Sequence, residues 1–331
     1  MYCTQMIKKT LLSFTILANC TFLFAAEVDH YSVPAKLIPN SSALVYEKVQ
    51  NYLQMALNEA NVLSSCNEDI LYKKMRLYFN NHTKGKLTQD VIYDEGFPSV
   101  RIKLEESIFQ DWSIYNGFLL GREKAKKSAL ALGPIMKIDN QVLGTDKLEH
   151  FFGSGFLYFK RHHKNGTDLL KVLKRGAFYE KTILGGNFLA TGVFSYADLA
   201  ANFNGMRFWN HVLQKDDDVL GAEENLGPYV SCEQGQWVQV KEINLAEYLD
   251  DSFDESKNCS KFATSRGYEK YTSRLKLIEG LRGVDFNCLS STENNSYLTE
   301  KYQSRLRNGD PIHHWIINQN GHEQVSYFNE F

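Results

Sequence analysis

Between Gly144 and Trp209 the chain sets isolated ionisable residues inside apolar segments: GTDKLEHFFGSGFLYF, then KRGAFYEKTILGG, then GVFSYADLAANFNGMRFW. A charged group among aromatic side chains costs free energy unless it finds a partner, so these residues call for a physical account. Asp146 and His150 are four apart and share one face of a helix, with Gly153 and Ser154 on the next turn. Glu180 stands alone in the second segment, which ends at Gly185-Gly186. In the third, Ser195 is placed to cap a helix on which Asp198 and Asn202 are again four apart, and Gly205 and Trp209 continue the stripe. Packed together, the three helices would bring Asp146, His150, Glu180, Asp198 and Asn202 to one place, the glycines allowing close backbone approach.

Three carboxylates and an imidazole can bind a divalent metal. Oxygen-rich ligation by Asp146, Glu180 and Asp198 suits Mn, Mg or Ca, and mixed ligation with His150 suits Zn or Fe. A carboxylate beside His150 can also orient it as a general base. Structural roles compete with these. Asp146 with Glu149 three later is a capping-box pattern, Ser195 with Asp198 is close to one, Asn202 can bond between helices, and His150 can be a satisfied core histidine. Metal-binding helices often carry two histidines one turn apart, and this segment supplies one. No cofactor is certain from these residues; a divalent metal is the one they could hold.

The surrounding elements follow from periodicity. Leu44, Val45, Val49, Tyr52, Leu53, Ala56 and Leu57 predict an amphipathic helix over Ser41 to Asn61 with Ser caps, and a second helix spans Asn67 to Asn80, the pair closed by a loop at Cys66. Val91-Ile92-Tyr93 reads as a brief strand, Arg101 to Trp112 as helical, with Gly117 to Leu132 continuing it, and Ile135 to Leu143 as a small hairpin. Leu275 to Leu281 and Tyr297 to Leu306 read as short helices, and the tail PIHHWIINQNGHEQVSYF as a strand or an irregular closing segment. The expected fold is mainly α, an irregular helical bundle with short β hairpin elements and a disulfide-bearing C-terminal part. Its divisions are 1–26, a signal peptide; 27–143, N-terminal helices; 144–212, the central core; and 213–331, the cysteine-containing region.

The order DKxxH, an isolated Glu, then SxxDLxxNxxG resembles the core of the VanZ-like family of bacterial proteins and the related small YfiM-like lipoproteins. It falls on Asp146, Lys147 and His150, then Glu180, then Ser195, Asp198, Asn202 and Gly205. The fuller wording looks more like an uncharacterised family of exported bacterial proteins. The resemblance covers Gly144 to Trp209, and implies a candidate site without a reaction, with Lys147, Ser195 and Gly205 as capping or supporting residues.

Composition sets the compartment. Met1 to Ala26 has Lys8 and Lys9, an apolar run from Leu11 to Phe24 and Ala25-Ala26, the layout of a secretory signal; a lipid anchor at Cys20 is the alternative. Lys+Arg 37 against Asp+Glu 39 leaves a net charge of -2, which excludes a nucleic-acid partner of the basic kind. Past the leader four cysteines remain, Cys66, Cys232, Cys259 and Cys288, an even number that predicts two disulfides in an exported chain. One bridge is expected within the C-terminal part, with Cys232 to Cys259 the pairing chosen, and zinc is disfavoured because no CxxC or CxxH occurs. Lys160-Arg161-His162-His163-Lys164 complements the C-terminal end of a helix dipole, or else forms a patch for an anionic ligand or lipid headgroup. No Walker loop, GxSxG, HExxH or dinucleotide-binding glycine pattern is present.

The reading is a periplasmic or secreted envelope protein that binds a ligand, lipid or protein partner. The alternative is a metal-dependent hydrolase of an envelope substrate, acting through Asp146, His150, Glu180 and Asp198. Phe151, Phe152, Phe156, Tyr158 and Phe159 surround the polar line of the first central helix, and a third option is peripheral membrane association through an aromatic surface.

Overall fold

A computed structural model describes residues 27–112, 132–182, 191–289 and 295–321. The leader, most of the helix expected over 117–132, the Gly185-Gly186 turn and the end of the tail lie outside them. Helix α1 (Ser42–Leu63) buries Val45, Val49, Tyr52, Leu53 and Ala56 against α2 (Glu68–Tyr78), as their period requires. Ser41 occupies the N-cap position of α1, but its hydroxyl donates to the Pro98 carbonyl, so the expected Ser cap is replaced by a long-range bond. Asn67 does cap α2, accepting from Ile70 N at 3.1 Å.

Two expectations fail locally. Val91, Ile92 and Tyr93 end a helix, α3 (Lys86–Tyr93), because Leu87, Val91 and the neighbouring Thr88 and Ile92 bury one helical face. Arg101 to Trp112 is not a helix. It begins in β1 (Val100–Arg101) and continues through a 3-10 turn at Leu104–Glu106, the Ile108 amide being taken by the Asp29 carboxylate at 2.8 Å. For the tail, expected as a strand or an irregular closing segment, the described part is irregular apart from a short helix at His313–Ile316, where Trp315 and Ile316 are buried. The hairpin of β2 (Pro134–Ile138) and β3 (Gln141–Gly144) is present, turning at Asp139, whose φ is 53°, with Ile138 opposite Gln141. β1 adds to its outer edge, Val100 opposite Ile135.

From Gly144 the chain enters one continuous helix, α4, over 145–164. It is built from Thr145–Glu149, a π-helical turn at His150–Ser154, a second α segment at Gly155–Phe159 and a second π turn at Lys160–Lys164. Helix α5 (Leu169–Thr182) leads to β4 (Val193–Phe194) and α6 (Tyr196–His211). Every residue of α6 is buried, so the bundle is wrapped around it. Gly155 and Gly205 make the α4–α6 crossing possible: a Cβ on Gly205 would lie 2.0 Å from the Phe151 carbonyl oxygen, and one on Gly155 would lie 2.6 Å from the Gly205 Cα. Phe151, Phe152, Phe208 and Trp209 fill the space beside that crossing, with ring centroids 5.0 to 5.5 Å apart between adjacent partners.

The C-terminal region supplies the hairpin β5 (Val230–Glu233) and β6 (Gln236–Gln239), strand β7 (Lys261–Phe262) paired with β4, and the helix α7 (Ser265–Arg282) capped by Thr264. Two disulfides are formed, Cys66–Cys232 and Cys259–Cys288. The chosen Cys232 to Cys259 pairing is therefore wrong. Cys232 sits on β5 beside the loop that closes the α1–α2 hairpin, and Asn61 on α1 holds the β6 backbone at Trp237 N, 2.7 Å away. One bridge does lie within the C-terminal part, as expected, while the other ties that part to the N-terminal helices.

The α4–α6 contact yields a paired prediction. Gly205→Ala should lower stability by about 1–3 kcal/mol through forced separation of the helices. Gly280→Ala, on α7 with nothing within 4 Å of the added Cβ, should be neutral or stabilising by up to about 1 kcal/mol. Chemical denaturation of the two variants beside the parent checks both.

Candidate functional site

Lys147 is the centre of the site. Its side chain is fully buried, and burial alone would drive an ammonium towards neutrality, but its Nζ donates to Asp146 Oδ2 at 2.5 Å, Asp198 Oδ1 at 2.6 Å and Glu255 Oε1 at 2.6 Å. Those three carboxylates outweigh the desolvation and hold the lysine well above its ordinary pKa. The sequence reading gave Lys147 a supporting role. Nothing local in DKLEH reveals that its partners lie 51 and 108 residues away.

Asp198 is shared between two cations. Its other oxygen, Oδ2, accepts from His150 Nε2 at 3.0 Å, while His150 Nδ1 faces Asn202 Oδ1 at 3.0 Å. Both ring nitrogens thus meet oxygen acceptors, an arrangement that suits the imidazolium, which donates from both. Burial lowers the His150 pKa, but the Asp198 carboxylate reverses that and pushes it up to about 9. Burial would likewise raise Asp198, and His150 with Lys147 pull it well below the ordinary carboxylate range. Glu180 receives no such help. Burial first, and the Asp198 charge second, push it up to about 8, so it is predominantly the neutral acid at pH 7. Its Oε1 accepts from Ser195 N at 3.4 Å and its Oε2 has no hydrogen-bond partner among the described residues.

Ser195 caps α6 as expected, its Oγ accepting from Asp198 N at 3.1 Å, and it donates to Glu255 Oε1 at 2.6 Å. The Ser195 hydroxyl is also 3.4 Å from Lys147 Nζ, the pairing of atoms that a Ser–Lys nucleophile uses. A lysine held cationic by three carboxylates cannot act as its base. The capping box expected between Asp146 and Glu149 does not form: α4 starts at Gly144 without a side-chain cap, Asp146 Oδ1 accepts from Lys147 N at 2.8 Å, and Glu149 turns away to His82, whose backbone N donates to it at 2.6 Å. The wide π turn begins at His150, where the helix must accommodate the α6 crossing.

The five cluster residues named from the sequence therefore converge, through two different centres. His150, Glu180 and Asp198 offer ligand atoms within 4.8 Å of one another. Asp146 belongs to a second trio, with Glu27 and Glu255, on the other side of Lys147, so the four expected metal ligands do not form one set. Glu27, Glu255 and the nearby His30–Asp254 pair, 3.1 Å apart, were not identified from sequence. Glu255 lies in DDSFDESKN, whose run of acidic residues has the composition of a solvated turn. Burial first, and the Glu255 charge second, raise Glu27 well above its ordinary value.

A second buried network occupies the other half of α6. Arg207 Nε donates to Asp218 at 2.8 Å, His211 Nε2 lies 2.8 Å from the same carboxylate, and His211 Nδ1 lies 2.8 Å from Tyr248 OH. Asp218, within the acidic stretch 216–224, is buried in this network. The aromatics Phe151, Phe152, Phe156, Tyr158 and Phe159 are all buried, so they form no aromatic surface. No helix among the described residues is long and apolar enough to cross a membrane. Comparison with protein-family models, with curated proteins and with solved structures finds no match.

Two outcomes follow from the electrostatics. Lys147→Met leaves three facing carboxylates without their cation and should cost about 3–5 kcal/mol or prevent folding, whereas Lys276→Met on the exposed face of α7 should stay within about 0.5 kcal/mol; denaturant titration distinguishes them. The His150 imidazolium is favoured in the folded state. Its contribution is fully present below pH ~6.5 and is lost as pH rises through about 9, a span worth on the order of 3 kcal/mol. Glu180, raised to about 8, adds a slope of the same sign up to that pH, while Asp146, raised to about 6, acts below this range. Stability measured from pH 6.5 to 9.5 should therefore fall, and His150→Gln should flatten the decline.

Proposed function

We propose that this chain is an exported envelope protein that binds a ligand, lipid or partner, with the Lys147 network as its structural centre and no reaction catalysed there. The observation that carries this reading is the position of the Lys147 ammonium, in contact with Asp146, Asp198 and Glu255 at 2.5 to 2.6 Å. It supplies internally the positive charge that a metal would otherwise bring. The two disulfides fit an oxidising, extracytoplasmic environment. The envelope assignment also rests on the signal-like leader and on the resemblance to the VanZ-like and YfiM-like core.

A metal-dependent hydrolase is the second reading, favoured by one observation: His150, Glu180 and Asp198 present ligand atoms within 4.8 Å, and Glu180 Oε2 has no hydrogen-bond partner among the described residues. An ion there would have to displace the proton from His150 and share Asp198 with Lys147. Elemental mass spectrometry separates the readings, using protein exported and purified without chelators, before and after incubation with Zn, Mn and Ca. The binding reading expects metal well below one ion per chain. Near-stoichiometric metal, lost in folded His150→Ala and Asp198→Ala variants, would replace it with the hydrolase.

A further inference from the structure

Away from the Lys147 network, α2 and the second half of α4 face each other across an open cleft of about 280 Å³. Lys73 and Arg76 reach it from α2, Lys84 from the loop beyond, and Lys160 and Lys164 from the π-helical end of α4; Asp69 contributes the one carboxylate. The charge surplus of the lining is four, in a chain whose net charge is -2. Asp69 is paired with Lys164, and among the described residues Lys73, Arg76, Lys84 and Lys160 form no ion pair. Lys160 and Lys164 are four apart on one helix, and Lys73 and Arg76 three apart on the other, spacings at which like charges repel.

Arg76 is the most constrained of these groups. Its guanidinium lies over the Phe156 ring, 4.3 Å from the centroid, and its Nε is buried without a hydrogen-bond partner among the described residues. Burial lowers its pKa, and no carboxylate among the described residues compensates. Tyr72, with the Lys164 ammonium 5.4 Å from its ring centroid, extends the aromatic wall beside Phe156. A cationic fork held against an aromatic wall, with flexible ammonium groups around it, matches the geometry with which Arg and Lys take a phosphate. A single carboxylate would leave most of the surplus uncompensated, and the space, several times the ~30 Å³ of one water, admits a phosphate with a short polar substituent.

We propose that this cleft binds a phosphate group, with Arg76 as its fixed donor and Lys73, Lys84 and Lys160 as the surrounding charges. The inference names a ligand class for the binding reading above and rests on it. Free phosphate and the phosphodiester of an anionic lipid share the required chemistry.

The test uses the full mature chain at low ionic strength. Inorganic phosphate is titrated by calorimetry, and cosedimentation is measured with phosphatidylglycerol vesicles and with phosphatidylcholine vesicles. The expected result is binding of phosphate, of phosphatidylglycerol vesicles or of both, weakened about tenfold or more in Arg76→Gln. Lys73→Gln/Lys160→Gln, altering two exposed side chains, should weaken it similarly if Arg76→Gln fails to fold, and Lys276→Gln should leave it unchanged. Phosphate binding identifies a soluble ligand, and binding of phosphatidylglycerol vesicles alone identifies a lipid headgroup. Absence of binding to both probes, or binding unaltered in the cleft variants, would overturn the proposal. Metal content would be unchanged by that failure, so the binding reading of the central network stands or falls separately.

Discussion

A lysine with no access to water is the constraint around which this protein is arranged. Transferring an ammonium into an apolar interior costs several kcal/mol even after relaxation, and a single carboxylate rarely restores it. Lys147 has three, from its own helix at Asp146, from the start of α6 at Asp198 and from the loop at Glu255. Each comes from a different part of the chain, so the ion cluster joins the β3–α4 junction, the α6 N-terminus and the C-terminal region in one contact. Ser195 completes the junction by capping α6 while donating to Glu255.

The same electrostatic demand extends along α6. A helix buried on every side would ordinarily be apolar all round, yet this one carries Asp198, Asn202, Asn204, Arg207 and His211. Each is matched: Asp198 to Lys147 and His150, Asn202 to His150, Asn204 to Tyr302, and Arg207 and His211 to Asp218. Charged groups so placed contribute little net stability over a hydrophobic core, but they make misregistered packing expensive, since a slipped helix would strand them. The glycine contact between α4 and α6 works to the same end, because only that register brings two backbones together without side chains between them.

Helix α4 has two electrostatic characters. Its first half lies in a carboxylate-rich interior, where Lys147 and His150 are consumed by internal partners. Its second half presents Lys160 and Lys164 towards the cleft beside α2, where cations exceed carboxylates. Both halves pass through a π-helical turn, at His150–Ser154 and at Lys160–Lys164. Lys147 and His150 are thus held by buried partners, while Lys160 forms no ion pair among the described residues.

Local pattern was sufficient for α1 and α2, whose apolar residues repeat at the helical period, and for the β2–β3 hairpin around Asp139-Asn140. It was also sufficient for the convergence of His150, Glu180, Asp198 and Asn202, because isolated ionisable residues in three apolar helices have few places to go except towards one another. It misled for Val91-Ile92-Tyr93, where a short β-branched run suits either a strand or the end of a helix and only packing against the core decides. The Cys66–Cys232 pairing was equally illegible, since it depends on the β5–β6 hairpin docking on α1. Glu255, a member of an acidic stretch that resembles any solvated turn, became a buried ligand of Lys147 through tertiary folding alone. The sequence by itself determined which groups would need partners, because burial of apolar neighbours is written in short-range spacing. Which partners they found was decided by tertiary structure, because an ion pair spanning 108 residues leaves no periodic trace in the chain.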